Sequence, residues 1–312
     1  MKKSSCASFA ERLRQSSRKD KRIIRVMFEL TYRCNFHCAH CYVPRIYRNR
    51  PELSTSQVFK VLDQLKAAEC FYLGFTGGEP LMRSDAMDIL SYACRAGFEV
   101  ALYTNGSLID ADLARALARL RLNKIDITIP GFSSEVFDRV TASRGSRRKV
   151  FRAIELLRAR RVPLALKSCI LADNEAEIPH IAALAREIGA YYRLDDQLSA
   201  RLDGSRAPLR CRPRRATAHE AKRQDRARAE DLDLCACGIA STQAAITPRG
   251  LLKPCLMLES PRCSILKHGL GPAWAKLRRE VARLSRKAAA SPLTPSAGMT
   301  SPCLAEWQLA AR

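Results

Sequence analysis

The sequence has no run of the ~18–20 consecutive apolar residues that a bilayer-spanning helix requires. Its N-terminus, MKKSSCASFAERLRQSSRKDK, carries charge without an apolar core, so no cleaved export signal is expected. The chain is therefore expected to be cytoplasmic, with no membrane partner. Aromatic residues make up only 6%, too few for the interleaving of aromatic and basic side chains that marks a nucleic-acid-binding face. Acidic residues are the minority charge: 31 Asp and Glu against 54 Lys and Arg, a net of +23. That balance suits a polyanionic or acidic partner, and equally an arginine-rich proteome whose solvated faces carry Arg by default.

What is present bounds the fold. A length of 312 residues with 47% apolar composition supports one large α/β domain with a smaller appendage and excludes global disorder. Thirteen cysteines without an export signal point to metal ligation or buried thiols rather than a disulfide framework.

A strand-then-helix rhythm repeats from residue 23 to about 194. Strands are expected at Ile23–Leu30, Phe71–Thr76, Phe98–Tyr103, Ile125–Ile129, Val162–Leu171 and Tyr191–Leu194. Between them, Ser54 and Gln57 form a capping box, Ser84 caps the next helix, Gly97 stops it, and Asp110 opens another. Further helices are expected over Phe151–Leu157 and from Glu175 to Ile188. Crossovers of this length demand parallel pairing, as a doubly wound sheet or a barrel, with ligands at the C-terminal strand ends. Polar or glycine-rich turns follow four consecutive strands there: a cysteine loop, Gly77–Pro80, Thr104-Asn105-Gly106 and Pro130-Gly131. One shared site is the simplest reading.

Composition divides the chain into a basic N-terminal segment (1–22), the βα body (23–198), a basic linker or loop (199–232), a cysteine-containing extension (233–287) and a poorly ordered tail (288–312).

Cys34, Cys38 and Cys41 have a C-x3-C-x2-C spacing. Three thiolates so placed can hold an iron–sulfur cube with one iron free, or a zinc ion with His37 or His40 as fourth ligand, or they are buried thiols. The loop CNFHCAHCY resembles the cluster loop of the radical S-adenosylmethionine (radical SAM) superfamily. Gly77-Gly78-Glu79-Pro80 resembles that family's GGEP element, and Thr104-Asn105-Gly106 its TNG turn. The resemblance covers about residues 20–195. It implies a partial (β/α)6 barrel, a 4Fe-4S cluster on Cys34, Cys38 and Cys41, and S-adenosylmethionine on the free iron. His40 and Tyr42 would wall the adenine side, Gly77, Gly78, Glu79 and Pro80 the methionine amino group, and Thr104 and Asn105 the ribose. After the fourth strand the family's Ser-Leu-Asp-Gly is Thr128-Ile129-Pro130-Gly131 here, which keeps a hydroxyl at Thr128 and loses the acid. Lys167 either faces the barrel and meets an anionic group or is a surface lysine.

Residues 245–248 and 251–254 read as a short hairpin turning at Arg249-Gly250, flanked by Cys237 and Cys255. The pattern, with Ser264-Ile265-Leu266 and Trp274, resembles the start of the SPASM or twitch extension of radical SAM peptide maturases. The full cysteine series is absent. At most one auxiliary cluster can be completed, on Cys237 and Cys255 with two of Cys211, Cys235, Cys263 and Cys303. Cys70, Cys94 and Cys169 read as small buried apolar residues, and Cys6 lies in the terminal segment.

The resemblance implies an enzyme that reductively cleaves S-adenosylmethionine to a 5′-deoxyadenosyl radical and abstracts hydrogen from a peptide or protein, possessing an acidic leader in keeping with the basic surface. A low-potential donor such as flavodoxin or ferredoxin would supply the electron. Rival readings are porphyrin-type anionic substrates, a sulfatase-like protein target, a degenerate member kept for binding, and a zinc-containing nucleic-acid-binding protein. The last leaves GGEP and TNG unexplained.

Overall fold

A computed structural model describes residues 20–196, 198–213 and 239–290. The strand–helix alternation is present: β1 (Arg25–Thr31), α1 (Thr55–Ala67), β2 (Tyr72–Gly77), α2 (Ala86–Arg95), β3 (Glu99–Thr104), α3 (Ala111–Arg119) and β4 (Lys124–Thr128). Two helices, α4 (Ser134–Thr141) and α5 (Ser146–Ala159), precede β5 (Leu164–Cys169), and α6 (Ile178–Glu187) precedes β6 (Tyr191–Asp195). The six strands pair in parallel in chain order. The sheet is not closed, and β6 forms one edge, as in a partial barrel.

Local signals account for most of these boundaries. Ser54 and Gln57 form the expected reciprocal capping box on α1. Asp110 caps α3 through Leu113 N at 2.8 Å, and Gly97 ends α2 with φ +92°. Two expectations are corrected. The N-cap position of α2 is Asp85, not Ser84, and its carboxylate is held by Arg83 and Thr55 rather than by the helix backbone. Helix α4 was not foreseen: it is eight residues long, capped by Ser133 through Val136 N at 3.3 Å.

Alternate residues on each strand divide between two faces. Val26, Phe28, Leu73, Phe75, Val100, Leu102, Ile125, Ile127 and Leu166 pack against the helices, meeting Val58, Val61, Leu62 and Leu65 of α1 among others. The other face carries Glu29, Thr31, Asp126, Thr128, Lys167, Cys169, Arg193 and Asp195, linked in part by Lys124–Asp126 and Arg193–Asp126 ion pairs at 3.3 and 3.8 Å. The apolar face makes the core and the polar face looks into the partial barrel.

The expected C-terminal hairpin forms, as β7 (Gln243–Ile246) and β8 (Leu251–Lys253), followed by β9 (Cys263–Ser264), α7 (Ile265–His268) and α8 (Leu270–Ala289). It does not stand apart. β7 pairs parallel with β1, so the extension prolongs the body's sheet to nine strands. Trp274 of α8 is buried in the core and donates to Lys21 O at 2.7 Å.

The described part of the basic loop, 198–213, is anchored by its few apolar residues. Leu198 packs with Val136, Val140 and Leu171, joined by Leu209 and Cys211 from a 3-10 turn at Ala207–Cys211. Leu202 packs with Tyr32, Val43 and Tyr47. Residues 1–19, 214–238 and 291–312, with Cys6, Cys235, Cys237 and Cys303, lie outside the described residues, as does nearly all of the expected tail. No described helix is long and apolar enough to cross a membrane.

Candidate active site

The cysteine loop leaves the C-terminal end of β1 and is held in place by side chains distant in sequence. Arg48, on a 3-10 turn at Arg45–Asn49, donates to Cys34 O at 2.9 Å and Phe36 O at 2.6 Å, and meets His37 Nδ1 at 2.6 Å. Leu202 N donates to Tyr42 O at 2.9 Å. Within the loop, Cys41 N donates to Cys38 O at 3.2 Å and Phe36 N to Cys34 Sγ at 3.4 Å. Arg83, buried, donates to Leu30 O and Leu53 O at 3.2 and 3.1 Å and so fixes the strand from which the loop departs.

The turn after β2 is locked against the same stretch. Gly78 N donates to Thr31 O at 2.7 Å and Glu79 N to Arg33 O at 2.8 Å. A Cβ on Gly78 would stand 2.2 Å from Arg33 O, and one on Gly77, whose φ is +126°, 2.2 Å from Thr31 O. The glycine pair therefore permits close approach of backbone to backbone.

Glu79 binds the neighbouring turn. Its carboxylate accepts from Thr104 Oγ1 at 2.7 Å, Asn105 N at 2.7 Å and Leu81 N at 3.1 Å. Burial pushes its carboxyl up to about 6, against the lowering effect of those three bonds. Asn105 continues the chain of contacts: its Nδ2 donates to Asn35 Oδ1 at 2.8 Å and lies 3.9 Å from Cys34 Sγ. The cysteine loop, the turn at 77–80 and the turn at 104–106 thus meet at one place. Pro80, itself buried, opens a 3-10 turn there.

The remaining site residues spread around this centre. Thr128, at the end of β4, is the register partner of Lys167, itself the partner of Arg193. Lys167 faces into the partial barrel, and its Nζ lies 3.0 Å from Asp195 Oδ2, with both side chains about a quarter exposed. His40 Nδ1 is buried without a hydrogen-bond partner. Burial, with Lys167 beside it, pushes its imidazole down to about 4, so the ring is neutral. The Tyr42 hydroxyl turns away to Glu29 Oε1, at 2.8 Å. Cys169 is only half-buried, at the end of β5, against the expectation of a core thiol. Cys263 is buried in the core and Cys211 packs beside Leu198. Arg48, Arg83 and Leu202 carried no local sequence signal.

The donor set fits a cluster and its ligand. Cys34, Cys38 and Cys41 are unpaired thiols on one short loop, close enough for each to influence another's charge. Burial pushes the Cys34 thiol up to about 11 and raises Cys38 and Cys41, so thiolate ligation there must displace protons. Among the described residues no three or more His, Cys, Asp or Glu groups are gathered tightly enough for a single ion. A cube spreads its ligands over separate corners and does not need that convergence. The neutral His40 ring, with its orphaned Nδ1, suits contact with an organic ligand beside the loop.

Comparison with known proteins agrees. The chain is 32% identical over 166 residues to the PqqA peptide cyclase of Gluconobacter oxydans, covering 53% of this chain and 46% of that protein. It is 34% identical over 168 residues to the mycofactocin maturase MftC of Mycolicibacterium smegmatis, covering 54% and 43%. It thus spans somewhat under half the length of these relatives. Among solved structures, Streptococcus suis SuiB bound to S-adenosylmethionine shares the fold, with a TM-score of 0.67 at 12% identity over 87% of this chain and 71% of that one. The model of the Radical SAM superfamily matches residues 28–185, half of the chain, and the protein belongs to that superfamily.

Proposed function

We propose that this protein reductively cleaves S-adenosylmethionine and modifies a peptide or protein substrate by hydrogen abstraction. The observation that carries this reading is the junction of the cysteine loop with the turns after β2 and β3, made by Glu79 and Asn105. In this reading Cys34, Cys38 and Cys41 hold a 4Fe-4S cluster, which when bound supplies the electron that turns the sulfonium cofactor into a radical source. The chain's own residues do the rest. Backbone around Gly77–Pro80 receives the methionine end, with Glu79 holding that turn in shape. Thr104 and Asn105 hold the ribose side, Thr128 offers a hydroxyl, and the neutral His40 ring lies against the base, with Tyr42 behind it. The walls of the partial barrel keep water from the radical.

A peptide substrate is supported by the relatives, a peptide cyclase and a maturase. The net charge of +23 suits an acidic leader. The electron comes from a low-potential donor of the flavodoxin or ferredoxin type. Residues 23–198 form the catalytic body and 233–287 a twitch-like extension. Cys255 with Cys237 holds one auxiliary cluster, completed by two of Cys211, Cys235, Cys263 and Cys303.

Anaerobic reconstitution with iron and sulfide, followed by reduction in the presence of S-adenosylmethionine, tests the reading. Formation of 5′-deoxyadenosine, lost on changing any of Cys34, Cys38 or Cys41 to Ala, is the expected result. A colourless zinc protein that leaves the cofactor intact would overturn it. Turnover of a porphyrin-type acid in place of any peptide would move the substrate to that other anionic class.

A further inference from the structure

Three side chains converge on Glu29, a β1 residue with no exposed surface. Lys253 Nζ, from β8, lies 3.2 Å from Glu29 Oε2. Tyr32 OH donates to the same oxygen at 3.0 Å, and Tyr42 OH donates to Oε1 at 2.8 Å. Lys253 has no exposed surface either and donates to Leu256 O at 2.9 Å. The proposed chemistry uses neither charge.

A fully buried ion pair adds little net stability, because loss of hydration offsets the attraction, and an apolar pair would hold β8 to the sheet as well. What the pair adds is direction. Lys253 has only donors to offer the carboxylate, and both tyrosine hydroxyls turn toward it as donors as well. Tyr42 directly follows Cys41, and Leu256 directly follows Cys255. One charge pair therefore ties the last cysteine of the loop to the C-terminal extension, while Arg48 holds the loop's other end at Cys34 and Phe36.

We propose that Lys253 and Glu29 are positioning residues, a latch through which the C-terminal strand fixes the Cys41 end of the cysteine loop. Its purpose rests on the proposed function; its existence as a restraint does not.

The test is amide hydrogen exchange on the full chain without a cluster, comparing the parent with Lys253→Met and Tyr42→Phe. Lys253→Met strands a buried carboxylate. Tyr42→Phe removes only the hydroxyl and decides the matter should the first variant fail to fold. Exchange over residues 38–44 is expected to rise by about tenfold in the folded variants. Residues 34–36, under Arg48, and strands β2 to β4 should keep parental protection. In reconstituted Tyr42→Phe the resonance of the reduced cluster should shift from the parent's. Parent-like exchange over 38–44, or a parent-like cluster resonance, in the folded Tyr42→Phe protein would overturn the latch. A parent that shows the restraint yet assembles no cluster would overturn the proposed function and leave the latch standing.

Discussion

Thr104 Oγ1 donates to Glu79 Oε1 at 2.7 Å, both groups buried, and joins the turn after β3 to the turn after β2. Asn105 N donates to the other oxygen of the same carboxylate, also at 2.7 Å. Glu79→Ala leaves a buried hydroxyl and a backbone N–H without an acceptor, each costing about 1–3 kcal/mol. Urea unfolding should show a loss of about 3 kcal/mol or more. A loss within error would mean that these bonds are not formed.

The same carboxyl gives a pH signature. Its folded value of about 6 lies above its ordinary 4.5. The folded chain therefore holds this proton more tightly than the unfolded chain does. The stability so contributed is present below about pH 4.5 and is lost as the pH rises through about 6. The swing is on the order of 2 kcal/mol. Stability profiles of the parent and Glu79→Gln should diverge over that window, with the parent's falling relative to the variant's. Parallel profiles would contradict the assignment.

Gly78→Ala should destabilise by about 2 kcal/mol or more, since its Cβ would stand 2.2 Å from Arg33 O, a backbone atom with no room to yield. Gly271→Ala, within α8, meets nothing within 4 Å and should be neutral or gain up to ~1 kcal/mol. Thermal melting of the two proteins checks the contrast.

The motifs were legible because each is a short contiguous string: the three cysteines, Gly77–Pro80 and Thr104–Gly106 lie at strand ends that hydrophobic alternation already located. What holds those strings together was not legible. Arg48, Arg83, Leu202 and Lys253 each act on a partner far along the chain, and nothing in their neighbours distinguishes them from solvated Arg and Lys or from a lone Leu in a basic loop. Helix α4 escaped notice because eight residues give little more than two turns of periodicity, with Val136, Phe137 and Val140 as its only large apolar positions. At α2 the cap position falls one residue beyond Ser84, on Asp85. The salt bridge from Arg83 to Asp85, at 2.6 Å, set the geometry there.

Arg48→Met removes the donors to Cys34 O and Phe36 O. Since Arg48 is half-buried and outside the core, stability should fall by no more than about 2 kcal/mol. Iron retained after a chelator challenge should fall several-fold. Leu202→Ala, at a buried site, should cost about 2–5 kcal/mol in unfolding experiments and loosen the same loop. Equal chelator resistance in parent and Arg48→Met would show that the loop needs no such brace.

The most direct measurement is electron paramagnetic resonance of the anaerobically reconstituted, reduced protein before and after addition of S-adenosylmethionine. Three cysteine ligands that leave one iron open predict a 4Fe-4S signal that shifts when the cofactor binds, and that disappears in Cys34→Ala, Cys38→Ala and Cys41→Ala alike. A cluster signal indifferent to the cofactor, or one that survives loss of any of the three thiols, would contradict the account.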